Sequence, residues 1–137
     1  MIDFQETNQS HILRDVATLD AVVRFQLLTA AEATLDERFK LEETLNRVDH
    51  FSQLDQLPLN FSSSNAAIAK AYDIVLYLRK QAYRLVQQNP DDDMNEYYVA
   101  SLYIAMNTLR FSTLSPVQLE HALLCASLLA DRLLASQ

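Results

Sequence analysis

Apolar residues recur along this chain at the three- and four-residue spacing of amphipathic α-helices. Over residues 66–88 they occupy one face, and lysine, arginine, aspartate and glutamine residues occupy the opposite face. Residues 94–111 are apolar on nearly all sides, and residues 116–135 leave only a narrow polar strip. The pattern predicts an all-α fold in which residues 94–111 form a well-buried helix.

Local signals indicate where the later helices begin and end. Ser115 and Gln118 have the spacing of an S-x-x-Q capping box, and Pro116 falls at the first helical position, where its missing N–H costs nothing. Asn89 followed by Pro90 is typical of a helix end, because proline cannot continue a helix. These signals predict that the last helix begins at residue 116 and that the helix before residue 90 stops there.

The first part of the chain gives weaker signals. The apolar pattern from Ile12 to Leu57 contains neither proline nor glycine, yet a single helix of this length would be about 70 Å long. A compact domain of this size is much smaller, so we predict a break at the T-x-x-E box that begins at Thr29. We expect residues 1–137 to form a single-domain antiparallel bundle of about five helices, at residues 8–28, 31–56, 66–88, 94–111 and 116–135.

Composition narrows the possible functions. The chain of 137 residues contains no glycine, which excludes the P-loop, the GxGxxG turn and the GxSxG nucleophile elbow. Its formal net charge is −7, so phosphate backbones repel it and basic partners are attracted, and we expect no nucleic acid among its partners. Residues 61–90 form a basic segment between two acidic ones. We also expect a cytoplasmic protein without a signal peptide or a membrane-spanning segment.

Candidate chemistry is sparse. The three histidines, His11, His50 and His121, lie far apart in the sequence, and His11 and Asp15 have the i, i+4 spacing of one helix face. Asp91-Asp92-Asp93 followed by Glu96 is typical of acidic residues before a helix, where capping and the helix dipole favour them. The single cysteine, Cys125, lies inside an apolar helix, where burial makes a thiol inert. We therefore predict no catalytic residues, no metal site and no cofactor.

The tyrosines give the strongest functional signal. All six fall between residues 72 and 103, on two consecutive predicted helices. Tyr72, Leu76, Arg79 and Tyr83 line up along the helix at residues 66–88, and tyrosine and arginine are enriched at binding hot spots. We predict that these four residues form a partner-binding surface. In the alternative interpretation, the tyrosines flank an interhelical core with their hydroxyl groups reaching water.

Two functional hypotheses follow. The leading one is a non-enzymatic helical interaction module that binds a partner protein, in the manner of acidic inhibitors, immunity proteins or adaptors. The alternative is a small enzyme or ligand-binding bundle whose pocket between helices is lined by Tyr97, Tyr98, Tyr103 and His121.

The last predicted helix also suggests self-association. Leu124 and Leu128 lie away from its main apolar face, and one neighbouring helix cannot cover both faces. We predict a homodimer through these leucines; the competing possibility is a monomer with this helix at the centre of the bundle.

Overall fold

The computed structural model describes residues 4–58, 61, 63–85 and 93–135. Within these residues there is no β-strand, and the all-α prediction is confirmed. The helices are α1 (Phe4–Ala21), which continues as a π-helical segment (Val22–Leu27), α2 (Leu35–Leu45), a 3-10 helix (Phe51–Gln56), α3 (Ala66–Leu85), α4 (Asn95–Thr108) and α5 (Pro116–Ala135).

The five α-helices pack in a ring around one hydrophobic core. Helix α1 contacts α3 and α4, α4 contacts α5, α5 contacts α2, and α2 closes the ring against α3. Every helix therefore has two neighbours and directs one face inward. Among the described residues, every helix falls short of the combined length and hydrophobicity that a bilayer-spanning segment requires.

The start of α5 agrees with the prediction. The Ser115 N–H donates to Gln118 Oε1 over 2.9 Å, the Gln118 N–H donates to Ser115 Oγ over 3.4 Å, and the helix begins at Pro116. Helix α3 also begins at residue 66 as predicted, and α4 covers most of the predicted 94–111. The predicted helix end at Asn89 and Pro90 lies outside the described residues.

The predicted helix over residues 31–56 is wrong at its start. Thr29 and Glu32 do form contacts of the T-x-x-E type, with the Thr29 N–H donating to Glu32 Oε1 over 3.0 Å, but they close only a turn. The helix starts from a second T-x-x-E sequence. There the Glu37 N–H donates to Thr34 Oγ1 over 3.2 Å and the Thr34 N–H donates to Glu37 Oε1 over 3.0 Å. Two equivalent local signals were present, and the second one is used.

The same prediction is also wrong at its end, because α2 stops at Leu45. Two contacts from other parts of the fold stabilise this end. Arg79 Nη1 donates to the Leu45 carbonyl over 3.1 Å, and it also donates to Asn46 Oδ1 over 3.0 Å. The helix-terminal carbonyl and the capping asparagine are thus both satisfied by α3. Residues 51–56 then form a separate 3-10 helix.

The predicted helix over residues 8–28 changes its geometry at Val22. The π-helical segment that follows contains the buried Arg24 and Phe25. Its last carbonyl groups find partners elsewhere, since Gln118 Nε2 donates to the Phe25 carbonyl over 3.1 Å and to the Gln26 carbonyl over 3.2 Å. Such π-helical turns occur frequently at functional sites, and this one carries an arginine into the centre of the bundle.

Candidate functional site

A fully buried polar network lies at the centre of the bundle. Each helix of the ring and the π-helical segment contribute one side chain to it. All members of the network are 0% exposed. They are Asp20 from α1, Arg24 from the π-helical segment, Glu42 from α2, Arg79 from α3, Tyr97 from α4 and His121 from α5.

Asp20 joins three of these elements. Its Oδ1 accepts from Arg24 Nε over 2.5 Å, and its Oδ2 accepts from Arg79 Nε over 2.8 Å and from the Tyr97 hydroxyl over 2.5 Å. Burial alone would raise the pKa of Asp20, but the charges of Arg24 and Arg79 and the Tyr97 hydroxyl outweigh it and hold this pKa below its ordinary value. The carboxylate is therefore ionised and fully satisfied.

Glu42 is the second acidic centre of the network. Its Oε1 accepts from Arg24 Nη1 and from His121 Nε2, both over 2.7 Å, and its Oε2 accepts from Asn46 Nδ2 over 2.9 Å. Burial opposes ionisation here too, but Arg24 and His121 hold the pKa of Glu42 well below its ordinary value. Arg24 thus bridges two buried carboxylates on different helices.

The contacts of His121 define its protonation state. Arg38 Nη1 lies 3.3 Å from His121 Nδ1, and because a guanidinium group can only donate, Nδ1 must accept. The ring proton is then on Nε2, where it donates to Glu42. Burial lowers the pKa of His121. The charges of Arg24 and Arg38 lower this pKa further, while Glu42 raises it. His121 is therefore a neutral imidazole held in one tautomer.

Cys125 borders this network without offering a nucleophile. Its Sγ accepts from Arg24 Nη1 over 3.2 Å, and the side chain is completely buried. Burial, with a further contribution from Glu42, raises the pKa of Cys125 to about 12. A thiol in this state forms almost no thiolate near neutral pH.

This burial predicts an unreactive thiol in the folded protein. We expect Cys125 to react with a thiol-specific chromogenic reagent only after denaturation, and we expect Cys125→Ser to bind partners as the wild type does. A modest loss of stability is expected for the variant, because the sulfur is packed in the core. Rapid labelling of the native protein at pH 7 would contradict this prediction.

An open cleft of about 730 Å³ lies beside the buried network. It is formed by the end of α2, the segment after it, the start of α4 and the second half of α5. Leu128 and Ala135 supply apolar surface, and the buried Glu42 and Asn46 form part of the wall. We call it the acidic cleft, because the exposed residues around it include Glu43, Asp49, Asp93 and Asp131.

Hydrogen bonds hold one side of the acidic cleft in place. The Met94 N–H donates to the Asp49 carbonyl over 2.9 Å, and the Tyr98 hydroxyl donates to the Val48 carbonyl over 2.5 Å. Gln53 Oε1 accepts from the Asp49 N–H over 2.9 Å and from the His50 N–H over 3.0 Å. The segment after α2 is thereby fixed against the start of α4.

The acidic cleft has an excess of negative charge. Arg132 pairs with Asp49, and its guanidinium lies 5.5 Å from the centre of the Tyr98 ring. In the part of the chain that the structure describes, Glu43, Asp93 and Asp131 take part in no ion pair. Three carboxylates around the cleft thus lack a cationic partner within these residues.

Comparison with known proteins identifies a family. Residues 1–110 match the family described as Ternary complex associated domain 9, which is most of the chain. The chain belongs to this family. No curated protein and no solved structure matches it. The matched residues include α1 to α4 and end before α5, so that His121, Cys125 and one wall of the acidic cleft lie beyond the match.

The residues of the predicted partner-binding surface lie in or beside the core of this ternary complex associated domain. Tyr72, Leu76 and Arg79 are buried, and Tyr83 is half-buried with its ring stacked on Phe51 at 5.7 Å. The residues do follow one side of α3, but that side faces the core, because α3 packs between α1 and α2. Arg79 is stable there since Asp20 neutralises it. A partner protein has no exposed row of tyrosine and arginine to contact here.

The four residues of the alternative pocket do not lie together at the surface. Tyr97, Tyr98 and His121 are core residues, whereas Tyr103 on α4 is 70% exposed. The four residues therefore share no cleft. Helical periodicity assigned these residues to the correct helices, but it did not show which of the tyrosines are buried in the core.

The remaining sequence candidates are scattered. Leu124 and Leu128 are half-buried, Leu128 lines the acidic cleft, and the homodimer stays a prediction. His11 and Asp15 are exposed. Asp91 and Asp92 lie outside the described residues, whereas Asp93 lines the acidic cleft. Within the described residues, no group of histidine, cysteine and acidic side chains is arranged to hold a metal ion.

Neither the polar network nor the acidic cleft was predicted from the sequence. A signal for the network was present, because Asp20 and Arg24 have the i, i+4 spacing of an ion pair and Arg79 lies in line with residues that pack inward. The acidic cleft had no such signal, since its carboxylates come from four separate parts of the chain.

Proposed function

We propose that this ternary complex associated domain is a non-enzymatic interaction module that binds partner proteins within a larger complex, as an acidic adaptor or inhibitor does. The observation that carries the proposal is the family match over residues 1–110, since the family is described by its association with a ternary complex. The function of such a domain is to present a stable surface, and it requires no catalytic group.

The placement of the reactive side chains supports this proposal. His121 is buried with both ring nitrogens engaged, and Cys125 is buried beside Arg24. Neither group can reach a substrate without opening the bundle. The buried polar network contains residue types that are common in active sites, but its contacts connect the helices to one another.

The charge of the chain also supports a partner of opposite sign. A net charge of −7 on a domain of this size steers basic proteins towards it and accelerates their encounter. This steering loses strength with added salt, because exposed charges are screened over about 8 Å at physiological ionic strength.

Purification of the intact complex tests the proposal. The full chain, tagged and expressed in its own cells, is expected to be recovered with two other proteins at fixed stoichiometry, as measured by native mass spectrometry. An unrelated acidic helical protein with the same tag identifies proteins that bind acidic surfaces in general. Recovery of the chain alone, or only with the proteins that the control also retains, would contradict the proposal.

A further inference from the structure

The acidic cleft combines an apolar wall with carboxylates around its opening. We propose that it is the docking site for a basic amphipathic segment of a partner protein, with arginine side chains at the carboxylates and apolar side chains against Leu128 and Ala135. The inference rests on the proposed function, because it takes the occupant to be part of a protein. It goes further by assigning the surface and the chemistry of the segment that binds there.

The size of the acidic cleft suits a segment rather than a whole domain face. Its volume of about 730 Å³ lies within the range of about 300–1,000 Å³ that is usual for small-molecule sites, so it has room for a few side chains only. Leu128 is half-buried and lines this space together with Ala135. A few side chains from one face of a helix or an extended segment can fill such a space and cover the apolar wall.

Charge complementarity determines the sign of the occupant. The unbalanced carboxylates of Glu43, Asp93 and Asp131 lie around one opening, and the single arginine of the cleft is already paired with Asp49. A cationic segment would relieve the repulsion among them. Arginine suits this role better than lysine, because its planar guanidinium can donate two parallel hydrogen bonds to one carboxylate.

The same charges argue against a second copy of this chain as the occupant. A twofold interface centred on the cleft would bring identical patches together, so that the carboxylates of one copy would face those of the other. Such a contact places like charges opposite each other, which is unfavourable at an interface. We predicted that Leu128 mediates self-association. Within this cleft, however, the basic segment of a partner protein covers Leu128 more favourably than a second copy does.

Hydrogen bonds also hold one side of the acidic cleft in place before binding. The segment at residues 48–50 is held by the backbone of Met94 and by the side chains of Gln53 and Tyr98. Binding to a preformed site loses less conformational entropy than binding to a mobile one. The backbone that carries Asp49 is thus held in place before the partner arrives.

The test uses a synthetic amphipathic helical peptide with arginine on its polar face and leucine on its apolar face. Matched peptides carry lysine or glutamate in place of arginine. The full chain is titrated with each peptide, amide NMR shifts locate the contact, and fluorescence anisotropy gives the Kd. We expect the arginine peptide to shift amide signals at Glu43, Asp49, Asp93 and Asp131, the lysine peptide to bind several-fold more weakly, and the glutamate peptide not to bind.

Two variants of equal net charge separate the cleft from general attraction. The cleft variant is Glu43→Gln with Asp93→Asn and Asp131→Asn. The control variant is Asp15→Asn with Asp73→Asn and Glu120→Gln, which neutralises exposed carboxylates elsewhere on the helices. We expect the Kd of the arginine peptide to rise at least tenfold in the cleft variant and to stay within twofold of wild type in the control. Circular dichroism verifies that both variants are folded.

Several results would overturn the inference. These are equal effects of the two variants, contact shifts away from the acidic cleft, no binding of the arginine peptide, or cleft shifts that appear when the protein alone is concentrated. In the complex purification, a cleft variant that recovers the same partners as wild type would also overturn it while leaving the proposed function intact. A wild-type chain recovered alone would instead count against the proposed function. The peptide titration tests the cleft separately, so the two failures can be told apart.

Discussion

Replacing Asp20 with alanine is expected to lower the free energy of unfolding by about 3–5 kcal/mol, the usual effect of removing one partner from a buried ion pair. The side chain is completely buried and accepts hydrogen bonds from Arg24, Arg79 and Tyr97. Without it, two buried guanidinium groups lose a counterion, and Arg79 has no other carboxylate partner among the described ion pairs. The loss is a large fraction of the stability of an ordinary domain.

Urea denaturation of matched variants measures this effect. Asp15→Ala changes an exposed aspartate on the same helix, and we expect it to alter stability by less than about 0.5 kcal/mol. Tyr97→Phe removes only the hydroxyl donor to Asp20 and is expected to cost about 1.5–3 kcal/mol, so it tests the network even if Asp20→Ala does not fold. Equal stabilities of the Asp15 and Asp20 variants would show that the network contributes nothing.

The network specifies the arrangement of the helices as well as stabilising it. A purely apolar core can tolerate rotation of a helix, since one leucine can replace another in the same space. Glu42 on α2 must instead meet Arg24, and Arg79 on α3 must meet Asp20 on α1, so a shifted helix would leave a buried charge unpaired. We infer that these ion pairs select one packing among several, a role that buried polar groups have in some proteins.

The same network explains which parts of the structure could be predicted from sequence. The start of α5 was predictable, because Ser115, Pro116 and Gln118 determine it within one turn. The end of α2 was not, because it depends on Arg79, which is 34 residues from Leu45 in the sequence. Local sequence signals predict a helix end when neighbouring residues form the capping contacts. They fail when a side chain distant in the sequence supplies the hydrogen bond.

The inward position of Tyr72 and Arg79 has a related cause. Tyrosine and arginine together are typical of binding surfaces, and this led to the prediction for Tyr72 and Arg79. An arginine is rarely found in a core unless it is paired, and sequence alone did not show that Asp20 would supply the pair. The basic segment at residues 61–90 therefore directs one of its charges inward.

Stability is expected to fall as the pH is lowered from 7, in two stages. Burial lowers the pKa of His121 below its ordinary 6.5, so below pH 6.5 the unfolded chain binds a proton that the folded protein does not bind. One such proton gives a slope of up to about 1.4 kcal/mol per pH unit.

The second stage comes from the buried carboxylates. Asp20 and Glu42 have pKa values below their ordinary 3.8 and 4.5, so their contribution to stability is present above these values and is lost as the pH falls below them. The second stage is therefore steeper.

Urea denaturation between pH 8 and pH 3 separates the two stages through matched histidine variants. His121→Gln is expected to remove the slope between about pH 6.5 and pH 5, because it removes the titrating ring, while the decline below about pH 4.5 remains. His11→Gln replaces an exposed histidine on α1 and is expected to retain both stages. The slope of each variant is compared with that of the wild type, so a lower stability of His121→Gln at pH 7 does not affect the test. If the free energy of unfolding of the wild type instead rises as the pH is lowered from 6.5 to 5, the predicted pH dependence has the wrong sign. It would mean that His121 is protonated in the fold as the cationic partner of Glu42, which lies 2.7 Å from its Nε2.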